Sequence, residues 1–217
     1  MRQETGRDET IKSFAELWWS ERSIFFGQSW LGIPTLQHPF DAWVTQEIIV
    51  ETRPERIVEA GAFVGGSATM WAMLLEHVVP DGRVIAIDLK DNMDKARTVD
   101  VFRRRVDFVQ GSTVDPAIVA HVAGLVEGHR TMVILDSAHD AAHVAAEIEA
   151  YAPLVSSGCY LIVQDGFVNG HPLEPDHGPG PYEAVQDFLA TDDRFEVDRS
   201  RERMLFTFNP CGFLRRR

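Results

Sequence analysis

The sequence is poor in several features that mark other classes of protein. It has only two cysteines, Cys159 and Cys211, in 217 residues, and they show neither metal-site spacing nor a disulfide framework. It has no apolar run long enough to span a bilayer, and its opening residues, MRQETGRDET, lack the apolar stretch of a signal peptide. We therefore expect a cytoplasmic protein with no membrane partner.

Positive charge is also scarce. There are 21 Lys and Arg residues against 33 Asp and Glu residues, which gives a formal net charge of -12. Because duplex binding depends on cations that neutralise phosphates, this balance argues against nucleic acid as the main partner. The basic tail LRRR, residues 214–217, is interpreted as a solvated terminus.

Short runs rich in Val and Ile alternate with helical patterns along most of the chain. The predicted strands are RIVEA, RVIAID, VDFVQG, TMVILD and CYLIVQD, and helical patterns, including a short one near NMDKARTV, separate them. This alternation is typical of a parallel sheet covered on both faces, so the predicted fold class is α/β. A last helix, GPYEAVQDFLAT, and two final strands, RFEVDR and RMLFTFN, complete the prediction.

The N-terminal part differs from the rest of the chain. A short helix there is expected to dock three apolar side chains, Phe14, Leu17 and Trp18. A loop rich in Gly, Pro and aromatic residues follows, and Asp41 is the candidate N-cap of the next helix. We therefore divide the chain into an N-terminal helix and lid segment, residues 1–40, and a main domain, residues 41–217.

The turn after the first strand has the composition of a ligand site. The stretch IVEAGAFVGGSATMWAM places Gly61, Gly65 and Gly66 where a strand passes into a helix, and ligands of such sheets bind at the carboxyl ends of strands. Glycine lets the backbone adopt positive φ and lets a ligand approach the main chain, and the following helix offers free N–H groups. A nucleotide cofactor fits this combination, and a tight turn without a ligand is the alternative.

The spacing G-x-x-x-G-G departs from the G-x-G-x-x-G of dinucleotide sites. Phe63 stands where such a site has its second glycine, and Glu59 would repel a phosphate. A carboxylate at this place suits a cationic end of a cofactor, such as an amino group or a sulfonium. Asp88, which ends the next strand, is placed to bind ribose hydroxyls, and Gly111 and Ser112 are expected close to an adenine ring.

Two further strand ends bring oxygen ligands to the same edge of the sheet. Asp136 ends the fourth strand, in VILDSAHDAAH, and Gln164 and Asp165 end the fifth, in LIVQDG. Carboxylate and amide oxygens suit Mg²⁺ or Ca²⁺, and a metal lowers the pKa of a bound hydroxyl. A neutral histidine can take the proton. His139 is the best-placed candidate and His143 is the second.

A long loop stiffened by prolines, GFVNGHPLEPDHGPGPYEAV, leaves this edge of the sheet. Long ordered loops in compact domains are usually functional. Asn169, His171 and His177 are candidates to contact an acceptor, together with Tyr182, which follows the loop. A metal site of His171 and His177 is the weaker alternative.

Taken together, these segments resemble the cephalosporin hydroxylase family, which includes rhamnosyl O-methyltransferases and is similar to metal-dependent macrolide-sugar and macrocin O-methyltransferases. The resemblance covers residues 28–190 and is carried by WLGIPTLQHPFDAWVTQEII, IVEAGAFVGGS, VIAIDL, ILDSAH, QDGFVNGHP and GPGPYEAV. It implies a Rossmann-like class I methyltransferase fold with S-adenosylmethionine in the glycine turn. Where the family pattern often has Glu-Asp, this chain has Gln164-Asp165, so the site carries one charge fewer.

The resemblance also implies roles for individual residues. The cofactor would be bound by the turn, the neighbouring strand ends and the lid, at Gln37, Glu59, Gly61, Ala62, Phe63, Gly65, Ser67, Asp88, Gly111, Ser112 and Asp136. Asp136 and Asp165, with Gln164, match the metal positions, and His139 matches the base, while Asn169, His171 and Tyr182 are the candidate substrate residues. The expected protein is an S-adenosylmethionine-dependent O-methyltransferase that uses Mg²⁺ or another divalent cation. Its expected acceptor is a sugar hydroxyl of a mannoside or rhamnoside.

Other activities stay open at this point. A phenolic natural product is the second choice of acceptor. A nicotinamide-dependent oxidoreductase would explain Asp88 but not Phe63 or Glu59, and a non-haem iron oxygenase would leave the glycine turn unexplained. A binding module without catalysis would use the aromatic residues as an interface, although a homodimer contact or lid packing is the simpler interpretation of Trp18, Trp19 and Trp30.

Overall fold

A seven-stranded sheet runs through the centre of the protein. The structure, a computed structural model, describes residues 2–217, with side chains described from residue 6 onward. The strands of this sheet are β3 (Arg56–Ala60), β4 (Arg83–Asp88), β5 (Val106–Gln110), β6 (Thr131–Leu135), β7 (Tyr160–Val163), β8 (Phe195–Val197) and β9 (Phe213–Arg216). A separate antiparallel ribbon consists of β1 (Ser29–Trp30) and β2 (Ile33–Pro34).

Helices precede the sheet and connect its strands. They are α1 (Arg2–Ser20), α2 (Arg22–Phe26), α3 (Pro39–Thr52), α4 (Gly66–Val78), α5 (Asp100–Arg105), α6 (Pro116–Val126), α7 (Ala141–Tyr151) and α8 (Pro181–Thr191). The short helix predicted near NMDKARTV consists of a 3₁₀ turn at Ala96–Thr98, within that stretch, and of α5, which begins directly after the stretch. Within the described residues, no helix combines the length and the apolar character that crossing a membrane requires.

The strand order is β5-β4-β3-β6-β7-β9-β8. Strands β3 to β7 are parallel, and β9 is antiparallel to both of its neighbours. The chain moves outward from β3 to β5 and then crosses to the other side of β3 at β6, so the order reverses between β3 and β6. Ligands of open α/β sheets bind outside the strand ends at such a switch point. The predicted α/β fold class is confirmed.

Burial explains why the strands were recognisable as apolar runs. Every residue of β6 and β7 is buried, as are four of the five residues of β3. Helices cover both faces of a parallel sheet, so its central strands need apolar side chains on both sides. Continuous runs such as TMVIL and YLIV follow from this requirement.

The C-terminal part differs from the prediction. RMLFTFN is predicted as a strand, but residues 203–209 form turns, and β9 is the last strand. Phe206 and Phe208 are apolar because they pack into a cluster beneath α1, not because they alternate along a strand. The tail LRRR is not a solvated terminus either, since Leu214 is fully buried and β9 lies between β7 and β8.

Asp41 does not cap the helix for which it was the candidate. Helix α3 begins at Pro39 with His38 as its N-cap. The carboxylate of Asp41 is buried and accepts hydrogen bonds from Thr207 Oγ1 (2.5 Å) and from the backbone N–H of Phe208 (2.7 Å). Asp41 therefore ties the start of α3 to the turns of residues 203–209.

The N-terminal helix packs on an aromatic cluster instead of the sheet. The buried members of this cluster are Ala15, Phe25, Phe167, Val168, Leu173, Phe206 and Phe208. Trp18 packs against it as predicted. Phe14 is 45% exposed but meets Phe206 edge-on, with ring centroids 6.4 Å apart, whereas Leu17 is 61% exposed. The predicted boundary after residue 40 falls inside the first turn of α3, and the division into lid and main domain stays a prediction.

The close approach of the ends of β3 and β6 requires a glycine at position 61. Gly61 has φ +92°, and a Cβ added there would lie 2.1 Å from the carbonyl oxygen of Asp136. We expect Gly61→Ala to lower the free energy of unfolding by about 2–4 kcal/mol, because left-handed backbone and the clash both oppose a side chain.

Urea denaturation measures this effect, and Gly124→Ala is the matched control. Gly124 lies in α6, where an added Cβ meets no atom within 4 Å, so this change should stabilise the protein by about 0.5–1 kcal/mol. Equal stability of Gly61→Ala and the wild type would show that the two strand ends are not packed this closely.

Candidate active site

A cavity of about 340 Å³ lies at the switch point of the sheet. Residues that follow β3, β4, β6 and β7 form one side of it, and residues from α1, α2 and the segment after β2 form the other. The lining residues are Trp19, Phe25, Pro34, Thr35, Leu36, Gln37, Gly61, Ala62, Phe63, Gly66, Ser67, Asp88, Asp136, Ser137, His139 and Asp165. Most residues of the first side were predicted from the sequence. Thr35 and Leu36 on the other side were not, and the only feature that could have indicated them is their position next to Gln37.

The charge of the cavity is strongly negative. Asp88, Asp136 and Asp165 line it, and its described lining residues include no lysine or arginine. A cleft lined by charges of one sign attracts ligands of the opposite sign. This cavity therefore favours cationic ligands and disfavours a pyrophosphate.

The glycine turn forms the wall beside Asp88. Phe63 has φ +50°, in the region that glycine usually occupies, and its backbone N–H donates to Asp88 Oδ2 (2.8 Å). The N–H of Lys90 donates to the other oxygen, Oδ1 (3.1 Å), so the carboxylate is held at the rim of the cavity. Gly65 does not line the cavity but caps α4 with φ +84°.

Glu59 lies behind the cavity wall. It is fully buried, and its Oε1 accepts a hydrogen bond from Trp71 Nε1 (2.8 Å). Burial raises the pKa of Glu59 to about 7, although hydrogen bonds with Ser67 and Trp71 act in the opposite direction. Ser67 itself lines the cavity, so the side chain of Ser67 stands between Glu59 and the cavity. Contact of Glu59 with a cofactor stays a prediction.

Gly111 and Ser112 also lie outside the cavity lining. The N–H of Gly111 donates to the carbonyl oxygen of Asp88 (2.9 Å). A Cβ at Gly111 would lie 2.5 Å from Ile118 Cδ1, so the close packing of α6 is sufficient reason for this glycine. Contact of Gly111 and Ser112 with an adenine ring stays a prediction.

Three side chains at the ends of β6 and β7 converge on one point. Asp136, His139 and Asp165 each offer a ligand atom, and these atoms lie within 4.8 Å of one another. His139 Nε2 is 2.6 Å from Asp165 Oδ2. Asp165 has φ +56°, and its N–H donates to Asn209 Oδ1 (3.1 Å). Strained backbone of this kind clusters at functional sites.

The electrostatics of these three groups are coupled. Burial raises the pKa of Asp136 well above its usual range, and the charges of Asp165, Glu59 and Glu147 raise it further. Burial lowers the pKa of His139, but its hydrogen bond with Asp165 and the nearby carboxylates outweigh burial, and the net shift is upward. Nearby carboxylates contribute to both shifts, because they disfavour the ionised form of Asp136 and favour the protonated form of His139.

Gln164 pairs with Gln37, which follows β2. Its Oε1 accepts from Gln37 Nε2 (2.9 Å), and its Nε2 donates to Gln37 Oε1 (2.8 Å). Gln37 Nε2 also donates to Asp136 Oδ2 (3.1 Å). Gln37 thus reaches the cavity from the segment after β2. Its contact with a cofactor and the part of Gln164 as a metal ligand stay predictions.

His143 belongs to a network that contains the buried Glu147 and shares Ser137 with the cavity wall. Its Nε2 lies 3.1 Å from Thr113 Oγ1, 3.3 Å from Ser137 Oγ and 3.5 Å from Glu147 Oε1. Glu147 is fully buried and accepts a hydrogen bond from Ser137 Oγ (2.5 Å). His143 does not line the cavity, which makes His139 the better candidate for the base. Sequence reasoning missed Glu147, although its place four residues after His143 puts both on one helix face.

The candidate substrate residues Asn169, His171 and Tyr182 form a network of their own. Glu183 Oε1 accepts from Asn169 Nδ2 (3.0 Å) and lies 2.8 Å from His171 Nε2. The ring of His171 stacks on Tyr182 with centroids 3.8 Å apart. None of the three lines the cavity, so the network joins the long loop to the start of α8, and contact with an acceptor stays a prediction.

Comparison with known proteins adds to this geometry. A family model described as Rhamnosyl O-methyltransferase/CmcI matches residues 23–217. The rhamnosyl O-methyltransferase of Mycobacterium leprae (strain TN) is 34% identical over 206 residues, which cover 92% of this chain and 88% of the relative. That of Mycobacterium tuberculosis (strain ATCC 25618 / H37Rv) is 36% identical over 207 residues, which cover 91% and 81%.

Solved structures show the same fold. A structure of CmcI with Mg and SAM superposes with a TM-score of 0.68 at 22% identity and covers 92% of this chain and 83% of that one. The O-methyltransferase TomG from Streptomyces achromogenes, in complex with SAM, gives a TM-score of 0.55 at 18% identity, with 76% and 74% covered. The predicted class I methyltransferase fold is confirmed, and the chain belongs to the rhamnosyl O-methyltransferase/CmcI family.

Proposed function

We propose that this protein is an S-adenosylmethionine-dependent O-methyltransferase, assisted by a divalent metal, that acts on a sugar hydroxyl of the mannoside or rhamnoside type. The observation that carries the proposal is the anionic cavity at the switch point, in which Asp136, His139 and Asp165 converge. The names of the curated relatives support a rhamnosyl acceptor.

The cavity fits a sulfonium cofactor better than a dinucleotide. Its three carboxylates and the lack of lysine and arginine among its described lining residues favour a cation over a pyrophosphate. The glycine turn from Gly61 to Ser67 and the carboxylate of Asp88 would hold the cofactor. When bound, S-adenosylmethionine supplies the methyl group. Against a nicotinamide cofactor, Phe63 fills the position of the second glycine of a dinucleotide fingerprint.

The donor set also fits a hard divalent cation. Asp136 and Asp165 would hold it, with Gln164 as a further candidate, and two carboxylates are typical Mg²⁺ ligands. Burial, and then the charges of nearby carboxylates, raise the pKa of Asp136, and a bound cation would favour its ionised form. When bound, the cation lowers the pKa of the acceptor hydroxyl.

The remaining chemistry belongs to the side chains of this protein. Because His139 Nε2 is hydrogen-bonded to Asp165 Oδ2, the imidazole would accept the hydroxyl proton at Nδ1, and the acceptor oxygen would then be the nucleophile for methyl transfer. The side chain of His139 is 36% exposed, which allows it to return the proton to solvent. Gln37, Trp19 and Phe25 close the other side of the cavity, where they would exclude water and hold the acceptor.

Calorimetric titration with S-adenosylhomocysteine tests the cofactor, with NAD as the comparison ligand. We expect micromolar binding of S-adenosylhomocysteine and none of NAD. The acceptor is then tested by methyl transfer to methyl α-L-rhamnoside, methyl α-D-mannoside and a catechol, each with and without EDTA. Binding of NAD alone would overturn the proposal, and turnover of the catechol alone would replace the sugar by a phenolic acceptor.

The location, oligomeric state and partners of the protein are part of the same proposal. We infer a cytoplasmic homodimer that binds neither membranes nor nucleic acid. The net charge of -12 supports the last point, and the exposure of Trp43 (60%) and Leu31 (57%) supports a contact between copies. Light scattering after size-exclusion chromatography measures the oligomeric state, and a monomer at all concentrations would exclude the dimer.

A further inference from the structure

Trp19, near the end of α1, forms a wall between two cavities. One is the anionic cavity of about 340 Å³, and the other is an open groove of about 610 Å³ between α1 and the loop of residues 170–175. Trp19 lines both of them. An aromatic side chain from the lid therefore reaches the same cavity as His139 and Asp165.

The indole of Trp19 is held from several sides. Its Nε1 donates to Glu174 Oε1, and the guanidinium of Arg22 lies 4.2 Å from the ring centroid. The rings of Phe167 and Phe25 lie 5.0 Å and 5.7 Å away. A ring fixed in this way loses little conformational freedom when a ligand binds against it.

The neighbouring Trp18 shows that packing alone does not explain Trp19. Trp18 contacts Phe25, His38 and Phe208 at centroid distances of 6.0, 4.9 and 5.2 Å, and it lines neither cavity. Both tryptophans thus pack against the aromatic cluster, and of the two it is Trp19 that also lines the site cavity.

We propose that Trp19 is an acceptor-binding residue that helps to select a sugar for this reaction. A sugar ring has apolar C–H faces, and a tryptophan offers a large apolar surface with its polar N–H already paired. Contact with Trp19 would hold the ring so that one hydroxyl faces His139 and Asp165. Glu174 is a positioning residue, since it acts by holding the indole. This inference rests on the proposed function and deepens it.

The test compares Trp19→Ala and Trp19→Phe with Trp18→Phe, all in the full chain. Methyl α-L-rhamnoside is the acceptor, or methyl α-D-mannoside if only that compound is methylated by the wild type. We expect Trp19→Ala to raise the acceptor KM about 10-fold, which corresponds to about 1.4 kcal/mol, with an unchanged calorimetric Kd for S-adenosylhomocysteine. Trp19→Phe should lie between these values, and Trp18→Phe should leave both constants unchanged.

Tryptophan fluorescence supplies a readout that is independent of turnover. The acceptor should change the emission of the wild type and of Trp18→Phe but not that of Trp19→Phe. The conservative variant Glu174→Gln keeps an acceptor for the indole N–H and should retain the wild-type KM, whereas Glu174→Ala should raise it.

Two results would overturn the role of Trp19 while leaving the methyltransferase intact. One is a wild-type KM in Trp19→Ala, and the other is a parallel loss of acceptor and S-adenosylhomocysteine binding, which marks a merely structural residue. A wild type that binds no S-adenosylhomocysteine and methylates no acceptor would instead overturn the proposed function, and the inference about Trp19 would fail with it.

Discussion

Asp136→Asn should lower methyl transfer by at least about 100-fold and at the same time make the metal-free protein more stable. Even the partners of metal ligands typically cost 10–100-fold when they are removed, and Asp136 is proposed as a ligand itself. The stability gain has a separate cause. Burial disfavours the ionised carboxylate of Asp136, and the charges of Asp165, Glu59 and Glu147 disfavour it further. Asparagine keeps the size of the side chain and removes the charge.

The pH dependence of this gain follows from the direction of the pKa shift. The folded protein holds the pKa of Asp136 above the ordinary 3.8, so the folded state favours the protonated form. The free energy of unfolding of the wild type should therefore fall relative to that of Asp136→Asn as pH rises from about 3.8 to the folded pKa. At pH values above the folded pKa, the difference in stability between the two proteins should be constant. Below 3.8 the two proteins should be equally stable.

Urea denaturation across this pH range, with EDTA present, measures the stability difference. Calorimetric titration with Mg²⁺ and Mn²⁺ measures the lost metal affinity. Asp140→Asn is the control, because Asp140 caps α7 without lining the cavity, and asparagine caps a helix equally well. Unchanged metal affinity in Asp136→Asn would remove Asp136 from the metal site.

The central sheet could be predicted from sequence because its strands are buried on both faces. The run RIVEA coincides with β3, and RVIAID coincides with β4. Parallel strands end at one edge of the sheet, so the residues after β6 and β7 had to be neighbours. Asp136, His139 and Asp165 meet for that reason, and no side-chain detail was needed to expect it.

Contacts between distant segments could not be predicted in the same way. Gln37 pairs with Gln164, 127 residues away, and Asp41 pairs with Thr207, 166 residues away. Such pairs leave no periodic trace in the sequence, because each partner looks like an ordinary polar residue of a loop or a helix start. The prediction of a strand at RMLFTFN was wrong for a related reason. Alternating apolar residues indicate that every second residue is buried, and here that burial occurs without a strand.

His139→Gln is expected to lower kcat by about 10²–10⁴-fold, the usual contribution of a general base. Glutamine can still hydrogen-bond to Asp165 but cannot take a proton. The Kd of S-adenosylhomocysteine should therefore stay at the wild-type value, so the loss would lie in the chemical step. Single-turnover methyl transfer, followed with saturating cofactor and acceptor, separates this step from binding and product release.

His143→Gln is the matched comparison, because it makes the same change four residues further along. His143 contacts Thr113, Ser137 and Glu147 and does not line the cavity. Its loss should lower stability by about 1–3 kcal/mol, the range for disturbing a buried hydrogen-bonded group, while single-turnover rates stay close to those of the wild type. If His143→Gln instead abolished the chemical step and His139→Gln did not, the proton would leave through the network of Glu147 and Ser137, and the roles of the two histidines would be exchanged.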